Sequence, residues 1–141
     1  MKKLNHLTKT GTLFLLLLFI GSIITAHAQD SLVTISDAAF LYALIGEGVD
    51  TNGDSLISYS EAEAMTNLTV SGESISDMTG IEVFINLDSL DCAFNELTSL
   101  DVSDCTALTY LICLGNNLTS LDVSGCTNLK HLNCGFFGWV N

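Results

Sequence analysis

From residue 65 onward, apolar positions return at a fixed interval. Leu87, Leu108 and Leu129 stand 21 residues apart, and so do Leu90, Leu111 and Leu132, and Cys92, Cys113 and Cys134. Within each unit the spacing Leu-x-x-Leu-x-Cys alternates apolar with polar, the period of a strand that buries one face. Asn95 and Asn116, Leu97 and Leu118, and Cys105 and Cys126 repeat at the same interval in the segments between strands. An earlier unit is legible in Met65-Thr66-Asn67-Leu68-Thr69-Val70, with Ile75, Met78, Ile81 and Phe84 on its return path. That unit is one residue longer than the two that follow. A unit this short cannot bury its own apolar face, so consecutive units must stack, strand beside parallel strand. The pattern therefore predicts rungs starting near Met65, Leu87, Leu108 and Leu129.

A period of this length carrying L-x-x-L-x-C-x-x-N-x-L is the signature of a leucine-rich repeat. The expected fold class is an α/β solenoid with a parallel β-sheet on its concave face. Each inward leucine contributes roughly 1.5–3 kcal/mol when fully buried, so stacking is obligatory. Upstream, Ser36 is placed to cap a short helix beginning at Asp37. Its stripe of Phe40, Leu41, Leu44 and Ile45 would lie on the first rung as a lid, with Gly46 and Gly48 ending it. The organisation read from the chain is a leader over 1–28, a helical cap over 29–64 and repeats over 65–141.

The cap contains a second pattern, DTNGDSLISYSE over residues 50–61. Oxygen-bearing side chains at loop positions 1, 3 and 5, an apolar residue at 8, a hydroxyl at 9 and a glutamate at 12 match an EF-hand calcium loop. Calcium is a hard cation that takes six to eight oxygens. Asp50, Asn52 and Asp54 would supply side-chain oxygens, Leu56 a carbonyl, Ser58 a water-mediated contact and Glu61 both carboxylate oxygens. Position 6 is Ser55 where glycine is usual, and the left-handed turn there costs a non-glycine residue about 1 kcal/mol. Affinity on the order of 10⁻⁴–10⁻³ M is expected, as in extracellular modules. The competing structural reading is a capping box, Ser58-x-x-Glu61, opening a short helix from Tyr59 to Met65.

Charge and cysteine content narrow the context. Lys2, Lys3 and Lys9 precede an apolar run over 13–24, and Ala26-His27-Ala28 follows as a small-x-small cleavage pattern. This predicts a secretory signal cut after Ala28, the run being shorter than the ~20 residues that span a bilayer. Its removal leaves Lys130 as the only base against all 16 acids, a net charge of −15. Such a surface repels nucleic acid and anionic lipid and favours divalent cations. The five cysteines form two repeat columns and include no C-x-x-C pair. They are expected to be free, buried thiols, with Cys92, Cys113 and Cys134 pointing into the core. Phe137 and Trp139 stand where Asn and Leu stand in earlier repeats, so either the last rung is a degenerate cap or the chain is truncated; truncation is the reading favoured.

With helix, calcium-type loop and repeats in this order, the chain resembles the secreted leucine-rich-repeat proteins of Bacteroidetes-type bacteria. The residues that carry the resemblance are GVDTNGDSLISYSEAEA, then LTVSGESISDMTGIEVFINL, then L-x-x-L-x-C-x-x-N-x-L-T-S-L-D-V-S. The first unit also resembles an internalin-type repeat. The resemblance covers roughly residues 36–134. It implies a surface or secreted binding module, often one part of a larger protein with a C-terminal sorting domain, and names no ligand.

Alternation along the strands places two columns on the concave face: Asn67, Ser89, Tyr110 and His131, then Thr69, Asp91, Ile112 and Asn133, with Leu114 just beyond. Tyr110, Ile112 and Leu114 form a small apolar patch with polar edges, a plausible contact for a protein or glycan at the cell surface; the plain alternative is stacking on neighbouring rungs. Asn95 and Asn116 are expected to turn inward and bond backbone groups. His131 has no nucleophile beside it, and no glycine-rich phosphate loop or serine motif is present. The functional expectation is a non-catalytic exported binding module stabilised by calcium, with no nucleic-acid partner and no stable membrane insertion. The alternatives are an assembly spacer or a fragment of a larger adhesin.

Overall fold

The structure, a computed structural model, describes residues 30–135. The leader expected over 1–28, and Phe137 and Trp139, lie outside the described residues. The elements are helix α1 (Ala38–Gly46), helix α2 (Tyr59–Ala64), strand β1 (Asn67–Thr69), a 3₁₀ turn (Ile81–Val83), and strands β2 (Ser89–Asp91), β3 (Ser99–Asp101), β4 (Tyr110–Ile112), β5 (Ser120–Asp122) and β6 (His131–Asn133). Strands β1, β2, β4 and β6 form one parallel sheet in that order. Leu68 pairs with Leu90, Leu90 with Leu111, and Leu111 with Leu132, so the repeat register of the sequence is the register of the sheet.

The same hydrogen bonds recur at each step. The N–H of Val70 donates to the carbonyl of Asp91, Cys92 to Ile112 and Cys113 to Asn133, each at 2.8 Å. At the other strand end, Asp88 donates to Thr66, Thr109 to Asp88 and Lys130 to Thr109, again at 2.8 Å. Inside, Leu68, Leu90, Leu111, Val70, Cys92 and Cys113 are buried in two columns, and the return path of the first rung buries Ile75, Met78, Ile81 and Phe84 against them. The chain is a parallel-strand solenoid preceded by a short helix.

A second parallel sheet pairs β3 with β5, Leu100 on Leu121. Periodicity did not distinguish Ser-Leu-Asp there from loop. Identical segments on adjacent rungs are brought into register by the stacking itself, which is why a three-residue strand forms with little intrinsic signal.

Three details differ from expectation. The N-cap of α1 is Asp37 and not Ser36: Asp37 Oδ1 accepts the N–H groups of Ala39 at 2.8 Å and Phe40 at 3.2 Å. Its second oxygen is left to bond Ser76 and Asp77 on the first rung, an anchor that a hydroxyl with one oxygen cannot also supply. The helix lies on the core as expected, with Phe40 and Leu44 buried and Leu41 and Ile45 packed against it. Cys134 is exposed, whereas Cys92, Cys105, Cys113 and Cys126 are buried; all five are free. Cys134 stands on the last described rung, whereas Cys92 and Cys113 each have a further paired rung beyond them. Leu132 shows the same effect, 43% exposed where Leu90 and Leu111 are fully buried.

Asn95 and Asn116 close each turn from inside. Asn95 Oδ1 accepts from the N–H of Glu73 and Ile75 at 3.1 and 3.0 Å, and its Nδ2 donates to the carbonyls of Val70 at 2.7 Å and Cys92 at 3.0 Å. Asn116 accepts from Leu97 N–H and donates to the carbonyls of Cys92 and Cys113, all at 3.0 Å. These buried amides satisfy backbone groups where the chain leaves the sheet.

Candidate functional site: the open sheet face and the acidic loop

The sheet register assembles the outward columns. Asn67, Ser89, Tyr110 and His131 stand side by side, and Thr69, Asp91, Ile112 and Asn133 form the adjacent row. Asn67, Thr69, Tyr110 and His131 are exposed, and Ser89, Asp91, Ile112, Asn133 and Leu114 are half-buried. The Tyr110 and His131 rings stack, with centroids 4.3 Å apart and planes 9° from parallel. Two flat side chains on adjacent rungs thus make one broad, rigid surface at the start of the strands. Asp91 is steadied by the N–H of Ala93, which donates to its Oδ1 at 3.0 Å. Asp88 Oδ1 accepts the hydroxyl of Thr109 at 2.8 Å.

Phe94, at the turn that follows β2, is absent from the sequence-derived set. It lies three residues beyond β2, where the rung turns, and is 58% exposed. Its backbone is left-handed, with φ at 54°, at the position held by Gly72 (φ 78°) and Gly115 (φ 70°) on the flanking rungs. A side chain there costs about 1 kcal/mol relative to glycine, more for a bulky residue. The ring lies over Gly115, whose missing Cβ would fall 2.6 Å from it. The legible signal was an aromatic residue at a turn position where the neighbouring units carry glycine.

The acidic loop is built around its own carboxylates. Asp50 Oδ1 accepts from Gly53 N–H at 2.7 Å and Asp54 N–H at 3.2 Å, and its Oδ2 accepts from Ser55 N–H at 2.9 Å. Asn52 Oδ1 accepts from Asp54 N–H, and Asp54 Oδ1 from Leu56 N–H. Ser55 is left-handed at φ 65°, as position 6 of the loop pattern requires. Buried Ile57 anchors the loop: its carbonyl accepts from Val33 N–H at 2.8 Å, beside an antiparallel bridge between Leu32 and Ser58.

Glu61 is buried and fully engaged. Its Oε1 accepts from the N–H and hydroxyl of Thr51, both at 2.9 Å, and its Oε2 from the N–H and hydroxyl of Ser58 at 2.9 and 2.8 Å. The reciprocal bond from Glu61 N–H to Ser58 Oγ completes a capping box on α2. Burial pushes the Glu61 carboxyl up, but the donors from Ser58 and Thr51 outweigh it and hold the pKa at about 2.

Five of the six residues expected to ligate calcium, Asn52, Asp54, Leu56, Ser58 and Glu61, line one cavity of about 350 Å³ together with Thr51 and Asp30. Asp30 was not anticipated; it is tied there by the N–H and hydroxyl of Ser60. Among the described residues, no three carboxylate, imidazole or thiol groups converge on one point. The donor types and the turn suit a hard cation, while Glu61 would have to exchange its Thr51 partners for the ion.

No family model matches the chain, and no curated protein does. Solved structures do. An internalin (inlF) from Listeria monocytogenes is 26% identical with a TM-score of 0.58, over 77% of this chain and 33% of that one. The functional domain of InlJ from Listeria monocytogenes, described as including a cysteine ladder, is 47% identical with a TM-score of 0.54, over 56% of this chain and 18% of its own. A structure of CBM51-2 in complex with GlcNAc and INT domains, from Clostridium perfringens ZmpB, is 27% identical with a TM-score of 0.53, over 60% and 18%. The chain spans a third or less of each of these proteins. Its fold is the leucine-rich-repeat-type solenoid of the internalin structures. Among the described residues, no helix is long and apolar enough to cross a membrane.

Proposed function

We propose that the protein is an exported, non-catalytic binding module that takes a protein or glycan partner on the outer face of its four-stranded sheet. The observation that carries this is the pair of aligned outward rows, Tyr110 with His131 and Asp91 with Ile112, a partly apolar surface edged by polar groups on a rigid ladder. Rigid presentation lowers the entropy lost when a partner docks. The internalin and CBM51-2 neighbours support a recognition role and a place outside the cell.

Calcium, in this reading, stabilises the cap. Asp50, Asn52, Asp54, Ser58 and Glu61 with the Leu56 carbonyl would hold it, and the ion would supply charge neutralisation and cross-linking of the loop to α2. Tm in calcium against chelator tests this. A rise that disappears in the Asp50→Ala/Glu61→Ala double variant is expected; equal melting in both conditions would overturn the calcium assignment.

Binding is tested by selection from a displayed random dodecapeptide library, alongside a glycan array. Ligands recovered by the native protein should lose at least tenfold affinity for Tyr110→Ala/Ile112→Ser. They should keep it for Asp101→Asn/Asp122→Asn, which changes only the second sheet. Equal binding to both variants, or no ligand from either collection, contradicts the reading.

A further inference from the structure

The acidic loop is clasped by the segment that precedes α1. Leu32 bridges Ser58 in antiparallel fashion, the carbonyl of Ser31 accepts from Tyr59 N–H at 2.9 Å, and Val33 N–H donates to the carbonyl of Ile57 at 2.8 Å. Residues 30–35 thus form a strap along the second half of the loop. Side chains alternate along such a pairing, so Asp30 and Leu32 share a side with Ser58 and Ser60. All four line the cavity of about 350 Å³ that five of the expected calcium donors line, and Ser31 and Tyr59 do not.

Ser58 is a weak donor at its place in the loop. Its hydroxyl donates to Glu61 Oε2 at 2.8 Å and accepts from Glu61 N–H at 3.3 Å, so one lone pair remains and no charge. Asp30 lines the same cavity one pair further along the clasp and brings a carboxylate. The N–H and hydroxyl of Ser60 both donate to its Oδ2. The group is anchored by one oxygen and has the other to give. The donor set is short without it. Asp50, Asn52, Asp54, the Leu56 carbonyl and both oxygens of Glu61 make six, the lower limit for calcium; Asp30 makes seven and raises the carboxylates from three to four.

The strap also leads to the repeats. Val33 and Ile35 pack against the core. Both lie over Gly80, where an added Cβ would fall 3.0 Å from Ile35 Cγ1 and 3.2 Å from Val33 Cγ1. Gly80 opens the 3₁₀ turn on the return path of the first rung. An ion held by strap and loop together is therefore held by the segment that seats on that rung.

We propose that Asp30 is a calcium ligand supplied from outside the twelve-residue loop, and that calcium clasps the strap to the loop and, through Val33 and Ile35, to the first rung. This rests on the calcium reading of the loop and deepens it by adding a donor and a consequence. A segment held by few backbone bonds opens locally, and a cross-link across it suppresses that opening.

The test uses the full chain with calcium chloride as the probe. Calorimetry reads binding, and amide exchange at Val33 and Tyr59 reads opening of the strap. Asp30→Asn keeps an oxygen for the Ser60 donors and removes the charge. It should weaken calcium about tenfold, since affinity in such sites follows ligand charge, and should melt like the native protein in chelator. Asp104→Asn, an equal loss of charge outside the cavity, should stay within about twofold. Calcium should slow exchange of the Val33 and Tyr59 amides in the native protein and leave it unchanged in Asp30→Asn. Exchange that calcium does not slow in the native protein overturns the clasp. An equal loss of affinity in Asp104→Asn reduces the effect to general charge and overturns the ligand assignment. A lower Tm in chelator with unchanged affinity makes Asp30 a structural anchor for Ser60 instead. If Asp30→Asn binds like the native protein while Asp50→Ala/Glu61→Ala abolishes binding, the inference about Asp30 falls and the calcium reading of the loop stands. If the native protein takes up no calcium at about 10 mM, well above the affinity expected of extracellular sites, both fall.

Discussion

Asp37 joins the two halves of the molecule. One oxygen takes the first N–H groups of α1, and the other takes Ser76 N–H, Ser76 hydroxyl and Asp77 N–H at 2.8, 2.8 and 3.0 Å. Asp37→Ala removes a helix cap worth about 1 kcal/mol and strands donors on the first rung. We expect a loss of about 2 kcal/mol in urea unfolding; a change below ~0.5 kcal/mol would show that the cap and the repeats are not coupled here. Burial pushes the Asp37 carboxyl up, yet the donors from Ser76, Phe40 and Asp77 prevail and lower it from 3.8 to about 2. Glu61 is likewise lowered from 4.5 to about 2. Because both folded values lie below the unfolded ones, their stabilisation is complete above about pH 4.5 and is lost as pH falls toward 2. Tm should decline across that window, and less steeply in Asp37→Asn/Glu61→Gln. A flat profile in the native protein would contradict the bonding described.

The thiols give a separate test at the same scale. Burial raises Cys105 to about 12 and Cys113 to about 11, and raises Cys92 and Cys126 as well. Thiolate is the reactive form. Iodoacetamide at pH 8 should therefore modify Cys134 alone in the folded protein and all five cysteines in denaturant, as read by mass spectrometry. Rapid labelling of Cys92 in the folded state would mean its column is open.

Among the elements, the asparagine ladder holds each turn against the next. Asn95→Ala takes the amide away from the N–H groups of Glu73 and Ile75 and the carbonyl of Val70, while the Cys92 carbonyl keeps Asn116, so a loss of about 2 kcal/mol is expected in denaturant unfolding. A loss under 1 kcal/mol would mean that water replaces the amide. This ladder and the register of β1, β2, β4 and β6 were legible in the sequence because one period fixes both. A residue type that recurs once per repeat is forced into a column whatever its own propensity. The β3–β5 sheet was not legible, since Ser-Leu-Asp carries no alternation long enough to separate strand from turn. The choice of Asp37 over Ser36 turns on a partner at Ser76, far along the chain, which no local pattern contains. Phe94 escaped because aromatic residues in a repeat read first as core. Only its alignment with Gly72 and Gly115 reveals a turn.

At the scale of the whole molecule, a narrow ladder of rungs offers a continuous open face, closed at its beginning by α1 and the loop that ends in Glu61. The loop pattern at Asp50, Asn52, Asp54 and Glu61 could be read directly as oxygen donors at fixed spacing. What the sequence could not convey is that Glu61 is occupied by Thr51 and Ser58 and that Asp30 closes the same cavity. The excess of acids over the single Lys130 lies in the cap and the first two rungs, with only Asp122 on the third, and lends that part of the module a long-range preference for cations. In the proposed reading, Tyr110 and Ile112 supply the short-range fit.

The central claim is that recognition occurs on the outer face of the four-stranded sheet. Amide chemical-shift mapping of the labelled protein with a dodecapeptide recovered by display tests it most directly. The expected result is a contiguous set of shifts at Ser89, Asp91, Tyr110, Ile112 and His131, extending to Leu114. Shifts confined to Ser99, Asp101, Ser120 and Asp122, with the first set unmoved, would contradict it.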